Sequence, residues 1–191
     1  MKRVFIAVKA EPEPGLLEAV ASLKAQLASE SIKWTELINA HLTLAFLGDT
    51  EEKKIKILSE MLEKKCTGFH VFSFTIAGTG IFKNYRDPRV IWAGIKSSEQ
   101  LIKLSETIKS GLRENDFPVE ERDFSPHLTL GRIRSIKNNQ GLRRAVERYS
   151  NAEFQTVLVK EVILFESILM QTGPIYKPLG KFSLLGLPPA P

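Results

Sequence analysis

Two kinds of hydrophobic spacing take turns along the chain. Residues 3–9 hold a short apolar run, Val4-Phe5-Ile6-Ala7-Val8, closed by Glu11-Pro12-Glu13-Pro14, and read as a buried strand. Over 15–27, Leu16, Leu17, Val20, Leu23 and Leu27 recur at the spacing of one helix face. A weak extended piece at 32–36 precedes a strand over 41–47 that stops at Gly48-Asp49. Asp49-Thr50, with Glu51 and Glu52 in the first turn, opens a helix running to about residue 65, with Ile55, Ile57, Leu58, Met61 and Leu62 inward. Strand spacing returns over 69–77, where Phe72, Phe74 and Ile76 share a face, and Gly78-Thr79-Gly80 reads as a turn. A polar loop at 83–88 leads to a strand over 89–96. Ser97-Ser98 then opens a helix to about residue 113 with the stripe Leu101, Leu104, Ile108 and Leu112. After a polar connection over 114–123, a strand follows Ser125-Pro126 and ends near Ile133. The remainder reads as a basic helix over 140–149, a strand-rich stretch over 154–166, a last strand over 175–185 and a loose tail over 187–191.

The order strand, helix, strand, helix thus occurs twice, over 3–65 and 89–149, and predicts a duplicated α+β unit. The second strand of each set begins with the same word. His41-Leu42-Thr43-Leu44 returns 86 positions later as His127-Leu128-Thr129-Leu130. On a strand, alternate side chains face opposite ways, so each word offers an imidazole beside a hydroxyl and anchors both with leucines. Two such words facing each other make a cleft suited to proton transfer on both sides of a phosphorus centre. One imidazole serves as base and the other as acid near neutral pH. Thr43 and Thr129 would donate to non-bridging phosphate oxygens, and Arg132, just past the second word, would clamp the phosphate. The symmetry of the words leaves open which histidine is the acid.

Composition narrows the remaining choices. The 191 residues are 43% hydrophobic and 26% charged, ordinary for a globular protein, and predict a single domain over 1–191. A net charge of +5 mildly favours an anionic ligand such as RNA. With Cys66 alone, no internal disulfide and no thiolate cluster can form. No His-Glu-x-x-His, Walker loop or dinucleotide fingerprint is present, so neither metal nor cofactor is expected. No apolar run has signal-peptide or membrane-spanning length, which places the protein in the cytoplasm, away from membranes. The third histidine, His70, reads as an ordinary strand residue, and Arg143, Arg144 and Arg148 as a solvated helix face. Lys83, Arg86 and Arg89 divide evenly between loop solubility and substrate contact. Trp34, Phe46, Phe82 and Tyr85 fit packing, with one of them open to stacking a nucleobase.

The doubled His-x-Thr-x word resembles the signature of the two-histidine phosphoesterase family, in particular its RNA 2′,3′-cyclic phosphodiesterases, also called 2′-5′ RNA ligases. Flanking pieces are similar as well: Arg3-Val4-Phe5-Ile6-Ala7-Val8, Lys33-Trp34, Phe46-Leu47-Gly48-Asp49, Phe124-Ser125-Pro126 and Gly131-Arg132. The resemblance spans essentially the whole chain. It implies an α+β bilobal fold, with pseudo-twofold-related lobes of antiparallel sheet, helices outside and a central cleft. It also implies hydrolysis of RNA 2′,3′-cyclic phosphate ends to 2′-phosphomonoesters, with His41 as proton donor and His127 as proton acceptor. A reversible 2′-5′ ligation without ATP is a secondary expectation, and a monomer is expected. Two alternatives stand beside this: a cyclic phosphodiesterase acting on a small nucleotide such as an ADP-ribose cyclic phosphate, and a non-catalytic nucleotide- or RNA-binding module.

Overall fold

The computed structural model describes residues 1–120, 124–171 and 173–186. The chain runs β1 (Lys2–Lys9), α1 (Pro14–Gln26), β2 (Ser31–Trp34), β3 (His41–Thr50), α2 (Glu52–Cys66), β4 (Phe72–Phe82) and β5 (Val90–Lys96). It continues through α3 (Glu99–Glu114), β6 (His127–Ser135), α4 (Asn139–Glu147), β7 (Glu153–Val159), β8 (Glu161–Met170) and β9 (Gly173–Ser183). The strands form two sheets, ordered β3-β1-β8-β9 and β2-β6-β5-β4-β7, and every pairing between these strands is antiparallel. Without β2 the two orders match strand for strand, with β3 answering to β6, β1 to β5 and β8 to β4. The α+β, pseudo-twofold architecture implied by the resemblance is therefore present.

The two sheets are not built from separate halves of the chain. Helix α1 follows β1 of the first sheet yet packs on β7 and α4 of the second. Helix α3 follows β5 of the second sheet yet packs on β3 and on α2. Buried polar contacts fix this exchange. The Gln155 amide on β7 accepts from the Glu13 backbone N–H and donates to the Glu11 carbonyl, both at 2.8 Å, just before α1 starts. Ser105 of α3 donates to the Leu44 carbonyl of β3 at 3.2 Å. One continuous core results, joining Val4, Ile6 and Leu42 to Phe74, Ile91, Leu104 and Leu128. The predicted stripe Leu101, Leu104, Ile108 and Leu112 is fully buried.

Several boundaries differ from the sequence expectation, and bulges explain most of them. Strand β3 does not stop at Gly48: that residue takes φ +69 inside the strand, which continues to Thr50. Helix α2 consequently starts at Glu52 rather than at residue 49, and Ile57 lies on its exposed side. Gly78 is not a turn. It takes φ +67 as the extra residue of a bulge in β4, between the pairs Ala77–Gly94 and Thr79–Ala93. Buried Thr79 then donates to the Val146 carbonyl at 2.6 Å and ties β4 to α4. The stretch 154–166 is two strands in different sheets, because the chain crosses between them at Lys160. The tail at 187–191 and part of the connection at 121–123 lie outside the described residues.

Candidate active site

Each four-residue word opens a strand, as His41 opens β3 and His127 opens β6. Leu42, Leu44, Leu128 and Leu130 are buried in the core, which turns His41, Thr43, His127 and Thr129 the other way. The two strands touch where the sheets meet, and all four polar residues line one cleft of about 620 Å³.

Each word is followed by a bulge at its fourth residue. Thr43 pairs with Ala7 and Ala45 with Ile6, leaving Leu44 as the extra residue. Thr129 pairs with Trp92 and Gly131 with Ile91, leaving Leu130 extra. A bulge reverses the alternation of faces beyond it. Residues three places after each threonine therefore rejoin the threonine's face, where strict alternation would point them into the core. In the second copy that residue is Arg132, and in the first it is Phe46; both line the cleft.

The imidazoles are oriented the same way. His41 Nδ1 lies 2.7 Å from the Asn39 carbonyl, and His127 Nδ1 lies 2.8 Å from the Ser125 carbonyl. A carbonyl oxygen only accepts, so each Nδ1 carries the proton and donates it. That leaves each Nε2 as the nitrogen able to exchange a proton with a ligand. Their surroundings differ. His41 packs against Phe5 and Tyr176, with ring centroids 5.0 Å away in both cases, and Phe165 lies at 6.4 Å. Among the described residues His127 packs against one aromatic ring, Phe82, nearly perpendicular to it at 4.6 Å between centroids. Burial pushes the His41 pKa below its ordinary value, outweighing the opposite pull of the Asn39 carbonyl.

Beside His41, burial raises the Tyr176 phenol pKa while the positive charge of Arg132 draws it partly back. Phe46 is half exposed and carries the Arg3 guanidinium over its ring, 5.0 Å from the centroid. Lys109 of α3 is buried, pairs with Glu106 and lines the cleft together with Thr35 and Phe124.

Tyr176, Phe5, Phe165 and Lys109 were not legible as site residues. The three aromatic residues arrive from strands far apart in sequence and carry no spacing signal. Lys109 did leave one, as a charged position beside the apolar stripe of its helix. Other candidates stay outside the cleft. His70 bonds the Gly186 carbonyl, Lys83 and Arg89 pair with Asp87, and Arg143 pairs with Glu147. Trp34 and Tyr85 pack on the core, and Cys66 is buried with its thiol pKa pushed up to about 12. Among the described residues no three His, Cys, Asp or Glu side chains gather where a metal ion could be held, and no helix is long and apolar enough to cross a membrane.

Comparison with known proteins agrees with this arrangement. The family model described as LigT-like phosphoesterase matches residues 6–92 and 94–176. An RNA 2′,3′-cyclic phosphodiesterase of Thermotoga maritima is 34% identical over 177 residues, covering 93% of this chain and 92% of that protein. One from Methanothermobacter thermautotrophicus is 33% identical over 189 residues, covering 95% and 98%. Among solved structures, TT0787 of Thermus thermophilus superposes with a TM-score of 0.77 at 28% identity, covering 96% of this chain and 98% of that one. LigT of E. coli complexed with 3′-AMP gives 0.67 at 25% identity, with the same coverage.

Proposed function

The chain belongs to the LigT-like phosphoesterase family, and on that premise we propose that it opens RNA 2′,3′-cyclic phosphate ends to 2′-phosphomonoesters through His41 and His127, without a metal. The observation that carries this reading is the pair of identically tethered imidazoles lining one cleft. Water attacks the phosphorus opposite O3′. His127 Nε2 takes a proton from that water, and His41 Nε2 gives one to O3′ as the P–O3′ bond breaks, leaving the phosphate on O2′. Thr43 and Thr129 donate hydrogen bonds to the non-bridging oxygens, and Arg132 balances the charge that builds there.

The substrate's own negative charge favours the protonated form of His41 and opposes the effect of burial on it. Phe46, half exposed and lining the cleft, offers a platform for the terminal base. A 5′-hydroxyl in place of the attacking water gives a 2′-5′ linkage by the same step, without ATP. We read residues 1–191 as one bilobal catalytic unit, since both sheets share a core and both supply the cleft.

The test is an oligonucleotide ending in a 2′,3′-cyclic phosphate, incubated with the protein in excess chelator. The expected product carries a 2′-phosphate. No product, or activity lost on adding chelator, overturns the proposal.

A further inference from the structure

The pseudo-twofold relation gives the cleft two rims, and they are chemically unlike. On the first sheet β3 is an edge strand. The positions beyond its word are Phe46, Gly48 and exposed Asp49, followed by Glu51 and Glu52 at the start of α2. On the second sheet the matching positions beyond the β6 word are Arg132, Arg134 and Ser135, and β2 lies alongside as an added edge strand. Lys33 of β2 stands directly opposite Arg132, which has Val90 on its other side.

Directly opposed residues in an antiparallel pair share a face. The face is fixed by the neighbours: Ile32 and Trp34 pack on the core, and their side chains approach the core side of Gly131 within 3.0 and 3.1 Å of where its Cβ would stand. Lys33 therefore projects the other way, with Arg132 and with Thr35, which lines the cleft. Strand spacing sets the Lys33 and Arg132 backbones about 5 Å apart. Lys33, Arg132 and Arg134 have no carboxylate partner among the described residues, unlike Lys83 and Arg89 on the nearby β4–β5 loop, which share Asp87.

We propose that the RNA chain leading to the cyclic phosphate leaves the cleft over the β2–β6 rim, where Lys33 binds the phosphodiester one nucleotide upstream. This rests on the phosphodiesterase reading and adds a direction to it. Arg132 holds the terminal phosphate and Lys33 the next one, so the protein favours an oligonucleotide end over a free mononucleotide. On the opposite rim the cations are already engaged, Lys53 with Glu51, Lys2 with Glu52 and Arg3 over the Phe46 ring beside Asp49. Among the described residues that rim therefore offers the base an aromatic surface but no unpaired cation row for the backbone. Lys33 touches no reacting atom and is a positioning residue.

The test uses Lys33→Ala, Lys33→Glu and Lys33→Arg. Binding of an oligonucleotide that already carries a 2′-phosphate is followed across a salt series. Turnover is compared between a cyclic-phosphate-ended oligonucleotide and a mononucleoside 2′,3′-cyclic phosphate. Lys33→Ala should weaken oligonucleotide binding roughly fivefold and reduce the slope of log affinity against log salt by about 0.7, the share of one phosphate contact on a single strand. Lys33→Glu should weaken it further, and Lys33→Arg should restore it. Mononucleotide turnover and the oligonucleotide kcat should stay unchanged.

An unchanged affinity and slope, equal losses on both substrates, or a wild-type protein that does not bind the oligonucleotide overturns the proposed exit. A wild-type protein that binds but does not cleave overturns the hydrolysis instead, and the salt series still reports on Lys33.

Discussion

The two halves of the cleft start from one four-residue word and end in different surroundings. Both words are tethered by the carbonyl two residues upstream, and both are followed by a bulge at the fourth residue. Beyond that point the copies diverge. His41 is packed among Phe5, Phe165 and Tyr176, whereas among the described residues His127 has one aromatic neighbour, Phe82, in a perpendicular arrangement. The first bulge delivers an aromatic ring to the cleft and the second a guanidinium. On the floor beside the threonines, Ala7 of β1 answers to Trp92 of β5. The words supply the same two groups, and the residues around them give the two rings unlike surroundings. Burial alone favours neutral His41, so the proton that its proposed role as donor requires is held there by the negative charge of the bound substrate, since one imidazole must begin with a proton and the other without.

Removing the reactive groups should have the largest effect. His41→Ala and His127→Ala should each lower kcat on a cyclic-phosphate oligonucleotide by at least ~10²-fold. Because the two act in one step, the double substitution should fall little below the worse single one. Steady-state kinetics on the three variants checks this. Losses that multiply would show two independent contributions, and the pairing would be lost.

The bulge positions come next. Arg132→Ala removes a charge-assisted contact to phosphate and should cost about 10–10²-fold in kcat/KM on substrates of any length. Phe46→Ala should cost roughly tenfold, in KM alone, as expected for a lost stacking surface. A cyclic phosphodiester without a base separates the two: Arg132→Ala should still impair its turnover, and Phe46→Ala should not. Equal behaviour of the two variants on that substrate would erase the assigned division between phosphate rim and base rim.

How far the sequence could reach follows from the same positions. Within a strand, faces alternate, so spacing alone places His41 with Thr43 and His127 with Thr129, whereas the meeting of the two words across one cleft depends on how the two sheets pack. Arg132 was assigned to the phosphate on chemistry, although alternation from Thr129 would have turned it into the core. The bulge at Leu130 that rescues it has no marker in the word, since Leu44 and Leu130 look like any buried strand residue. Gly48 and Gly78 were visible as breaks but stand for bulges inside continuing strands, because a positive φ serves either purpose. The exchange of α1 and α3 between the sheets was not legible, because it depends on single polar contacts such as Gln155 with Glu13 and Ser105 with Leu44.

The floor of the second half supplies a stability prediction. A Cβ on Gly80 would stand 2.2 Å from the Trp92 ring, so the indole lies flat only because glycine faces it. Gly80→Ala should destabilise the fold by about 1–3 kcal/mol, the usual cost of overpacking, in urea unfolding. A variant as stable as the wild type would mean that Trp92 is free to move, and the contrast with Ala7 would carry no structural weight.

The smallest effect concerns a proton. Burial among three rings favours neutral His41, so its midpoint in the free protein should lie below the ordinary 6.5. The unfolded chain then takes up this proton before the folded one does. The stability linked to His41 is complete above its unfolded value and is lost as pH falls through the depressed folded value. A mononucleotide 2′-phosphate bound in the cleft places negative charge beside the ring and should move the midpoint upward. Titration of the His41 ring protons by NMR, with and without that ligand, reads both shifts. Tyr176→Ser admits water to the ring and should raise the midpoint of the free protein as well. A His41 midpoint that ignores both the ligand and Tyr176→Ser would mean the aromatic surroundings do not set its proton affinity. The difference between the two imidazoles would then have to come from the substrate alone.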